Sequence, residues 1–212
     1  YKQIKYNNLI PTFKDFPPDI ETIDYNNLYS EASIINCAFI TSMISDIIGE
    51  NCMPTISGRM ASTAFEFNIH NKIINNTMRV KVKNSQIEID GGFESKNYFC
   101  IIEAKNYMTD DFIIRQLYYP YRLWKNKINK KIIPIFLAFS NNIFSFFIYE
   151  FPRVDDYNSI KLVEQKNYTL INQKINLNEL KNLINSTPQM PESNIPFPQA
   201  DTFERVIDLM FL

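Results

Sequence analysis

The feature that most constrains this sequence is a series of short β-favouring stretches separated by Asn-rich or Gly-Gly turns. These stretches occupy residues 65–74, 78–82, 86–90, 98–105, 132–139, 144–151 and 160–171. Apolar residues at helical spacing predict helices at 34–48, ending at Gly49, and at 110–126, while residues 54–58 are expected to form a loop. This order predicts an α/β fold in which the two helices pack on a mixed sheet of about five strands.

The two ends of the chain differ from this central part. Residues 1–30 are polar and hold three prolines, which predicts an extended arm before a folded domain of residues 31–185. That domain is expected to close with a short helix at 177–184. Four prolines within residues 186–200 predict a linker. Residues 201–212 begin an amphipathic helix that ends on an apolar triplet, which predicts that a further domain has been cut off.

Composition and charge are those of an ordinary globular protein, with 45% hydrophobic and 21% charged residues. The net charge of −1 gives no overall basic signature for nucleic acid, although a local basic face is enough to bind a phosphate backbone. The three cysteines are scattered, which argues against disulfides and structural zinc and favours reduced thiols in a cytoplasmic protein. No apolar run approaches the ~20 residues of a membrane span, so no membrane partner is expected.

Two of the predicted strands carry charged side chains where each strand ends. Alternation along a strand places Glu88 and Asp90 on one face of the first strand, and Glu103 and Lys105 on one face of the second. Gly91-Gly92 offers a turn that would make the two strands neighbours. The sequence therefore predicts that these ionisable groups meet at one edge of the sheet.

Carboxylates at the end of a buried strand are costly unless a positive charge compensates them. Asp90 and Glu103 supply the hard oxygen ligands that suit Mg²⁺, for which Mn²⁺ can substitute. Lys105 adds a cation that can orient an attacking water or offset charge on a phosphorane. These groups are the parts that phosphodiester hydrolysis needs, and the alternative is a solvated strand edge with a surface ion pair.

The string Ile87-Glu88-Ile89-Asp90, followed by Ile101-Ile102-Glu103-Ala104-Lys105, resembles the PD-(D/E)XK motif, with isoleucine in place of its proline. The resemblance implies a Mg²⁺-dependent nuclease on a restriction-endonuclease-like mixed sheet flanked by helices, with Asp90, Glu103 and Lys105 catalytic. Gln116 resembles the glutamine found on the next helix in some branches, and a satisfied buried amide is the alternative. Residues 86–168 resemble the core of type II restriction endonucleases, in which a winged-helix domain often follows.

Further candidates surround this motif. Arg115, Arg122 and Lys125 would form a basic stripe with Tyr118 or Tyr119 on the second predicted helix, able to contact DNA phosphates.

Upstream of the motif, Arg59 is a candidate DNA contact and Glu66 an accessory acid, with an ordinary Arg–Glu salt bridge as the alternative. Glu88 is a second accessory candidate or an exposed strand residue. Lys81 and Lys83 could touch phosphate or form a solvated strand face.

The resulting prediction is a Mg²⁺-dependent type II restriction endonuclease that cuts double-stranded DNA at a specific site. A palindromic site would favour a homodimer, because the two-fold symmetry of the protein then matches that of the DNA. The sequence leaves two alternatives open. One is a structure-specific or repair nuclease of the same superfamily, and the other is a DNA-binding module whose carboxylates do not catalyse.

Overall fold

Three stretches of the chain are apolar at nearly every position, and they form the centre of the main sheet. Strands β7 (Tyr98–Lys105), β9 (Lys131–Ser140) and β10 (Ile143–Glu150) are buried along almost their whole length. Strands of this kind are covered on both faces of the sheet, whereas a strand of alternating polarity needs cover on one face only. The computed structural model describes residues 1–71 and 73–171, all of which belong to one compact unit, Tyr1–Asn172.

The main sheet also contains β2 (Thr12–Lys14), β3 (Met53–Ala61), β6 (Gln86–Glu94) and β11 (Lys161–Leu170). It is mixed and, within the described residues, has seven strands in the order β2-β11-β10-β9-β7-β6-β3. Its β2–β11 and β7–β9 pairs are parallel, and the other pairs are antiparallel. The predicted α/β fold with a mixed sheet flanked by helices is confirmed, with two strands that the sequence pattern did not indicate, β2 and β3.

The predicted loop at 54–58 is wrong, because these residues lie within β3. The strand has an irregular register at Pro54/Ile56 and at Ile56/Gly58, and Gly58 has a φ of 97°. Pro54 and Gly58 give this edge strand the composition of a loop, and the two register shifts interrupt its pairing with β6.

Two helices cover one face of the sheet. Helix α1 (Glu31–Ile40) begins at a capping box, in which the Ser30 and Ser33 side chains each accept a hydrogen bond from the other residue's main-chain N–H. Helix α2 (Met43–Ile48) ends at Gly49, as predicted, with a φ of 75°. The single helix expected at 34–48 is therefore divided, because Ser42 adopts a φ of 60° between the two segments.

Helix α3 (Arg115–Lys125) covers the opposite face of the sheet. It begins later than the predicted residue 110 because β8 (Asp111–Phe112) pairs with β1 (Lys2–Gln3) in a small separate sheet. The predicted arm of residues 1–30 therefore contains β1 and β2, which pair with strands far along the chain.

A second small sheet is the antiparallel hairpin of β4 (Phe65–Asn71) and β5 (Asn76–Val82), which stands outside the main sheet. Cys37, Cys52 and Cys100 are buried free thiols. Among the described residues, no helix is long and apolar enough to cross a membrane. The expectations for residues 177–184, 186–200 and 201–212 lie outside the described residues.

Candidate active site

Strands β6 and β7 separate at the end that carries their polar residues. Their ladder runs from Glu94/Phe99 to Gly91/Ile102 and stops there. Beyond this point β6 pairs with β3 alone, and β7 pairs with β9. The strands thus form a fork. Asp90 at the diverging end of β6 faces the Glu103–Lys105 segment at the diverging end of β7.

The predicted turn at Gly91-Gly92 is wrong, because both glycines lie inside β6 and the connection to β7 comes after Glu94. Glycine is needed at these two positions because neighbouring residues come too close to leave room for a side chain. A Cβ atom at Gly92 would lie 3.0 Å from the Ile56 carbonyl oxygen, and one at Gly91 would lie 3.0 Å from a methyl group of Ile35. The glycines therefore allow β3 and α1 to approach the sheet closely beside Asp90.

A cavity of about 450 Å³ opens at the fork. Its walls come from the diverging ends of β6 and β7, the first residue of α1, the first turns of α3 and the segment before β6. The charged and amide side chains among its lining residues are Glu31, Gln86, Glu88, Asp90, Glu103, Lys105, Arg115 and Gln116. The structure therefore brings all four predicted catalytic residues to one cavity.

Lys105 is the centre of the hydrogen bonding in this cavity. Its Nζ donates to Glu103 Oε1 at 2.9 Å, to Glu31 Oε1 at 2.8 Å and to the Ala104 carbonyl oxygen at 2.6 Å. The side chain is only 19% exposed, so these contacts replace most of its hydration. Its three acceptors hold the ammonium group in one position.

Glu31 is a site residue that sequence reasoning missed. It is the first residue of α1, and Ser30 before it caps the helix. The signal in the sequence was the Ser30–Ser33 capping box followed by an apolar run, which would have started the helix at residue 31. Even so, only the packing of α1 against the sheet brings this carboxylate to the end of β7.

Glu103 is the most deeply buried charged residue of the site, with 4% of its surface exposed. Gln116 Nε2 donates a hydrogen bond to Glu103 Oε1. Burial and the neighbouring Asp90 charge raise the pKa of Glu103 to about 7, although Lys105 opposes this shift. Burial also raises the pKa of Asp90, against the effect of the hydrogen bond from the Ala104 N–H.

Lys105 shows the opposite balance. Burial by itself would lower its pKa, but the hydrogen bonds and charges of Glu103 and Glu31 outweigh burial and raise the pKa above its usual value. The ammonium group is therefore charged at neutral pH. Three carboxylates face this one cation, so the site favours additional positive charge.

The donor set fits a magnesium ion that is only partly coordinated by protein. Within residues 1–71 and 73–171, no group of three or more His, Cys, Asp or Glu side chains is arranged to hold a metal. The fork offers the carboxylates of Asp90 and Glu103, and the Ala104 carbonyl oxygen, which accepts from Lys105 Nζ. Mg²⁺ is commonly held by one or two carboxylates, with water and substrate phosphate completing its octahedron.

Only part of the predicted basic stripe on α3 is exposed in the structure. Arg115 is exposed and lines the cavity, and Lys125 is exposed at the far end of the helix. Arg122, in contrast, is buried, and its Nη1 donates to the Val154 carbonyl oxygen at 2.9 Å and contacts Asp155 Oδ1 at 2.8 Å. This corrects its assignment to the DNA-facing stripe, because the hairpin and the segment around residue 154 cover that face.

The upstream candidates separate into two places. Arg59 on β3 pairs with Glu88 on β6, with 3.2 Å between Nε and Oε1, and Glu88 lines the cavity. Glu66 lies on the hairpin, pairs with Arg79 and Lys81, and is not among the cavity residues. The alternative of an Arg59–Glu66 salt bridge is therefore not what the structure forms, since each residue has another partner.

The fold and the site define an α/β protein with a carboxylate-rich, lysine-centred cavity at the forked edge of a mixed sheet. The chain belongs to the family described as a domain of unknown function, DUF6997, whose model matches residues 1–169. This match includes every residue of the cavity. Neither the search of curated proteins nor the search of solved structures gave a match.

Proposed function

We propose that this chain is a Mg²⁺-dependent nuclease that hydrolyses phosphodiester bonds of double-stranded DNA, and that its role is site-specific cleavage of the type II restriction kind. The observation that carries the proposal is the meeting of Asp90, Glu103 and Lys105 at the fork between β6 and β7. These are the residues on which the resemblance to the PD-(D/E)XK motif rests.

Each residue has a role that follows from its contacts. Asp90 and Glu103 would hold the Mg²⁺, which when bound acts as a Lewis acid on the phosphoryl oxygen and acidifies a water molecule. Lys105, held protonated by Glu103 and Glu31, offsets the charge that builds on the phosphate. Gln116 fixes the orientation of the Glu103 carboxylate. The raised pKa of Lys105 favours this electrostatic role over one as a general base.

The test is cleavage of supercoiled plasmid DNA by the full chain in Mg²⁺, with EDTA as the blank. We expect the parent and a Lys131→Ala control to cut, and Lys105→Ala to lose cutting by at least a hundredfold. Lys131 is an exposed residue at the start of β9, the end of the sheet opposite the fork. Equal nicking by the parent and Lys105→Ala would overturn the proposal.

The form of the products separates restriction from repair. Discrete fragments from plasmids of known sequence support site-specific restriction. Cutting confined to junctions, flaps or damaged duplexes supports a structure-specific or repair nuclease with the same chemistry. A palindromic cleavage site would also call for a homodimer, which sedimentation of the protein–DNA complex would detect.

A non-catalytic DNA-binding module is the second candidate, and one observation favours it. The Lys105 ammonium group occupies oxygens of both Glu31 and Glu103, so the carboxylates are partly neutralised without a metal. This candidate predicts duplex binding by the parent protein with no Mg²⁺-dependent cutting of any DNA.

A further inference from the structure

Three cations follow one another at alternate positions along β5 and just after it: Arg79, Lys81 and Lys83. The side chains of Arg79 and Lys81 are 70% and 76% exposed, and Lys83 is also exposed. Alternate residues of a strand are roughly 6.6 Å apart, so the row extends over roughly 13 Å. The row therefore presents a line of positive charge to the solvent.

The acidic residue that pairs with this row is Glu66 on the neighbouring strand β4. Its carboxylate contacts Arg79 Nη2 and lies 3.4 Å from Lys81 Nζ. Lys83 forms no ion pair with any residue that the structure describes. Three cations thus share one carboxylate, and the row keeps a net positive charge although the whole chain has a net charge of −1.

The opposite face of the hairpin is apolar and fixes the row relative to the active site. The Phe65 ring lies 5.3 Å from the Tyr119 ring, and the Phe67 ring lies 5.1 Å from the Tyr118 ring, in edge-to-face arrangements. Tyr119 also lines the active-site cavity. Because the hairpin packs on the helix that forms one wall of the cavity, its cations have a defined place beside that wall.

The chain itself connects the row to the cavity. The base of the hairpin is closed by two hydrogen bonds, from Ser62 N–H to the Ser85 carbonyl oxygen at 2.8 Å and from Ser85 N–H to Ser62 Oγ at 2.9 Å. Ser85 and Gln86 line the cavity. Lys83 therefore lies two positions before Ser85, the first residue of this segment in the cavity wall.

We propose that Arg79, Lys81 and Lys83 form a phosphate-binding row that holds the backbone of duplex DNA as it enters the active-site cavity. The inference deepens the proposed function and takes its ligand, double-stranded DNA, from it. It assigns most of the binding to the DNA backbone to the β4–β5 hairpin and not to α3, where Arg122 is buried. Regularly spaced cations on a rigid strand hold a backbone without reading its sequence.

The test is the salt dependence of binding to a fluorescein-labelled duplex, measured by fluorescence anisotropy of the full chain in EDTA. We compare the parent with Lys81→Ala/Lys83→Ala and with the control Lys131→Ala/Lys161→Ala. The control removes the same charge at the end of the main sheet that lies opposite the fork. Each lost phosphate contact lowers the slope of log affinity against log salt by about 0.9. We expect the first double variant to bind more weakly with a slope smaller by about 1.8, and the control to match the parent.

Glu66→Gln gives a test of the opposite sign. This substitution removes the carboxylate that Arg79 and Lys81 share, so the row becomes more positive, and we expect tighter binding with a steeper salt dependence. A variant that merely lost structure would not bind more tightly. Unchanged binding in Lys81→Ala/Lys83→Ala, or no duplex binding by the parent, overturns the proposal.

The same samples in Mg²⁺ separate this proposal from the proposed function. If the parent binds duplex through the row but cuts no DNA, the nuclease proposal fails and the row stands. If the parent cuts DNA and the lysine double variant binds and cuts like the parent, the row fails and the nuclease stands.

Discussion

Asp90 and Ala104 are joined by a hydrogen bond of 2.9 Å, from the Ala104 main-chain nitrogen to Asp90 Oδ2, just beyond the point where their two strands stop pairing. The Asp90 side chain thus takes the place of a main-chain acceptor at the fork. Asp90 is therefore both a candidate metal ligand and the acceptor of a hydrogen bond that holds the two strands together. Substitutions can separate these two roles.

We expect Asp90→Asn and Asp90→Ala to lose cleavage equally and to differ in stability. The asparagine retains an oxygen that can accept from the Ala104 N–H, whereas alanine leaves this donor without its partner. Asp90→Ala should therefore unfold at a lower urea concentration, with a difference of about 1 kcal/mol in the free energy of unfolding. Equal midpoints for the two variants would show that the bond contributes nothing to stability.

The raised pKa of Glu103 predicts how the stability of the metal-free protein depends on pH. The unfolded chain loses this proton near pH 4.5 and the folded protein at a pKa of about 7. Between these values the folded state holds more protons, so the free energy of unfolding falls as pH rises through this window, by at most about 3 kcal/mol.

Urea unfolding between pH 4 and pH 8 in EDTA measures this effect for Glu103→Gln, which should flatten the dependence. Glu164→Gln, an exposed residue of β11, is the control and should keep the slope of the parent. A parent-like slope in Glu103→Gln would contradict the assignment of the shift to this carboxyl.

Mg²⁺ should stabilise the folded protein if the fork binds it. A ligand at ten times its dissociation constant adds about 1.4 kcal/mol to the free energy of unfolding, which appears as a rise in the midpoint of thermal unfolding. Asp90→Asn and Glu103→Gln should lose most of this rise, and Lys131→Ala should retain it. A rise of the same size in all four proteins would place the bound ion elsewhere.

Glu31 is expected to act through Lys105 as a positioning residue. Glu31→Ala should lower kcat roughly 10- to 100-fold with little change in KM, as is typical when a partner of a catalytic group is removed. Glu31→Gln, which retains an oxygen acceptor for the ammonium group, should lose less. A rise in KM with unchanged kcat would instead make Glu31 a substrate contact.

Arg122 is expected to matter for folding and not for DNA binding. Arg122→Met removes hydrogen bonds to Tyr118 and Val154 and the ion pair with Asp155, at a cost of about 3 kcal/mol in urea unfolding. The salt dependence of duplex binding should stay that of the parent. Lys125→Ala, an exposed change on the same helix, should alter stability by less than about 0.5 kcal/mol.

The sequence was informative where local pattern and tertiary structure agree. The central strands β7, β9 and β10 were predicted close to their observed bounds, because short apolar runs rich in β-favouring residues are typical of strands buried on both faces. Alternation along a strand correctly put Glu103 and Lys105 on one face. The two strands were correctly predicted to be neighbours, although the turn at Gly91-Gly92 from which this was inferred is wrong.

The errors arose where a residue type serves a contact distant in sequence. Gly91-Gly92 has the composition of a turn, but its glycines make room for the Ile56 carbonyl oxygen and for Ile35. Arg122 has the spacing of a surface residue on an amphipathic helix, but the β4–β5 hairpin covers that surface, with the guanidinium group 5.2 Å from the Phe65 ring. Neither contact has a local signature.

The closed base of the β4–β5 hairpin has an evolutionary consequence. Because the Ser62 and Ser85 hydrogen bonds bring the two ends of the hairpin together, its tip and its exposed face can change without moving β3 or β6. Selection can then alter how the protein grips its target while the chemical centre at the fork stays the same. Members of this family are accordingly expected to diverge faster at the exposed positions of the hairpin than at its buried Phe65 and Phe67 or at the carboxylates of the active site.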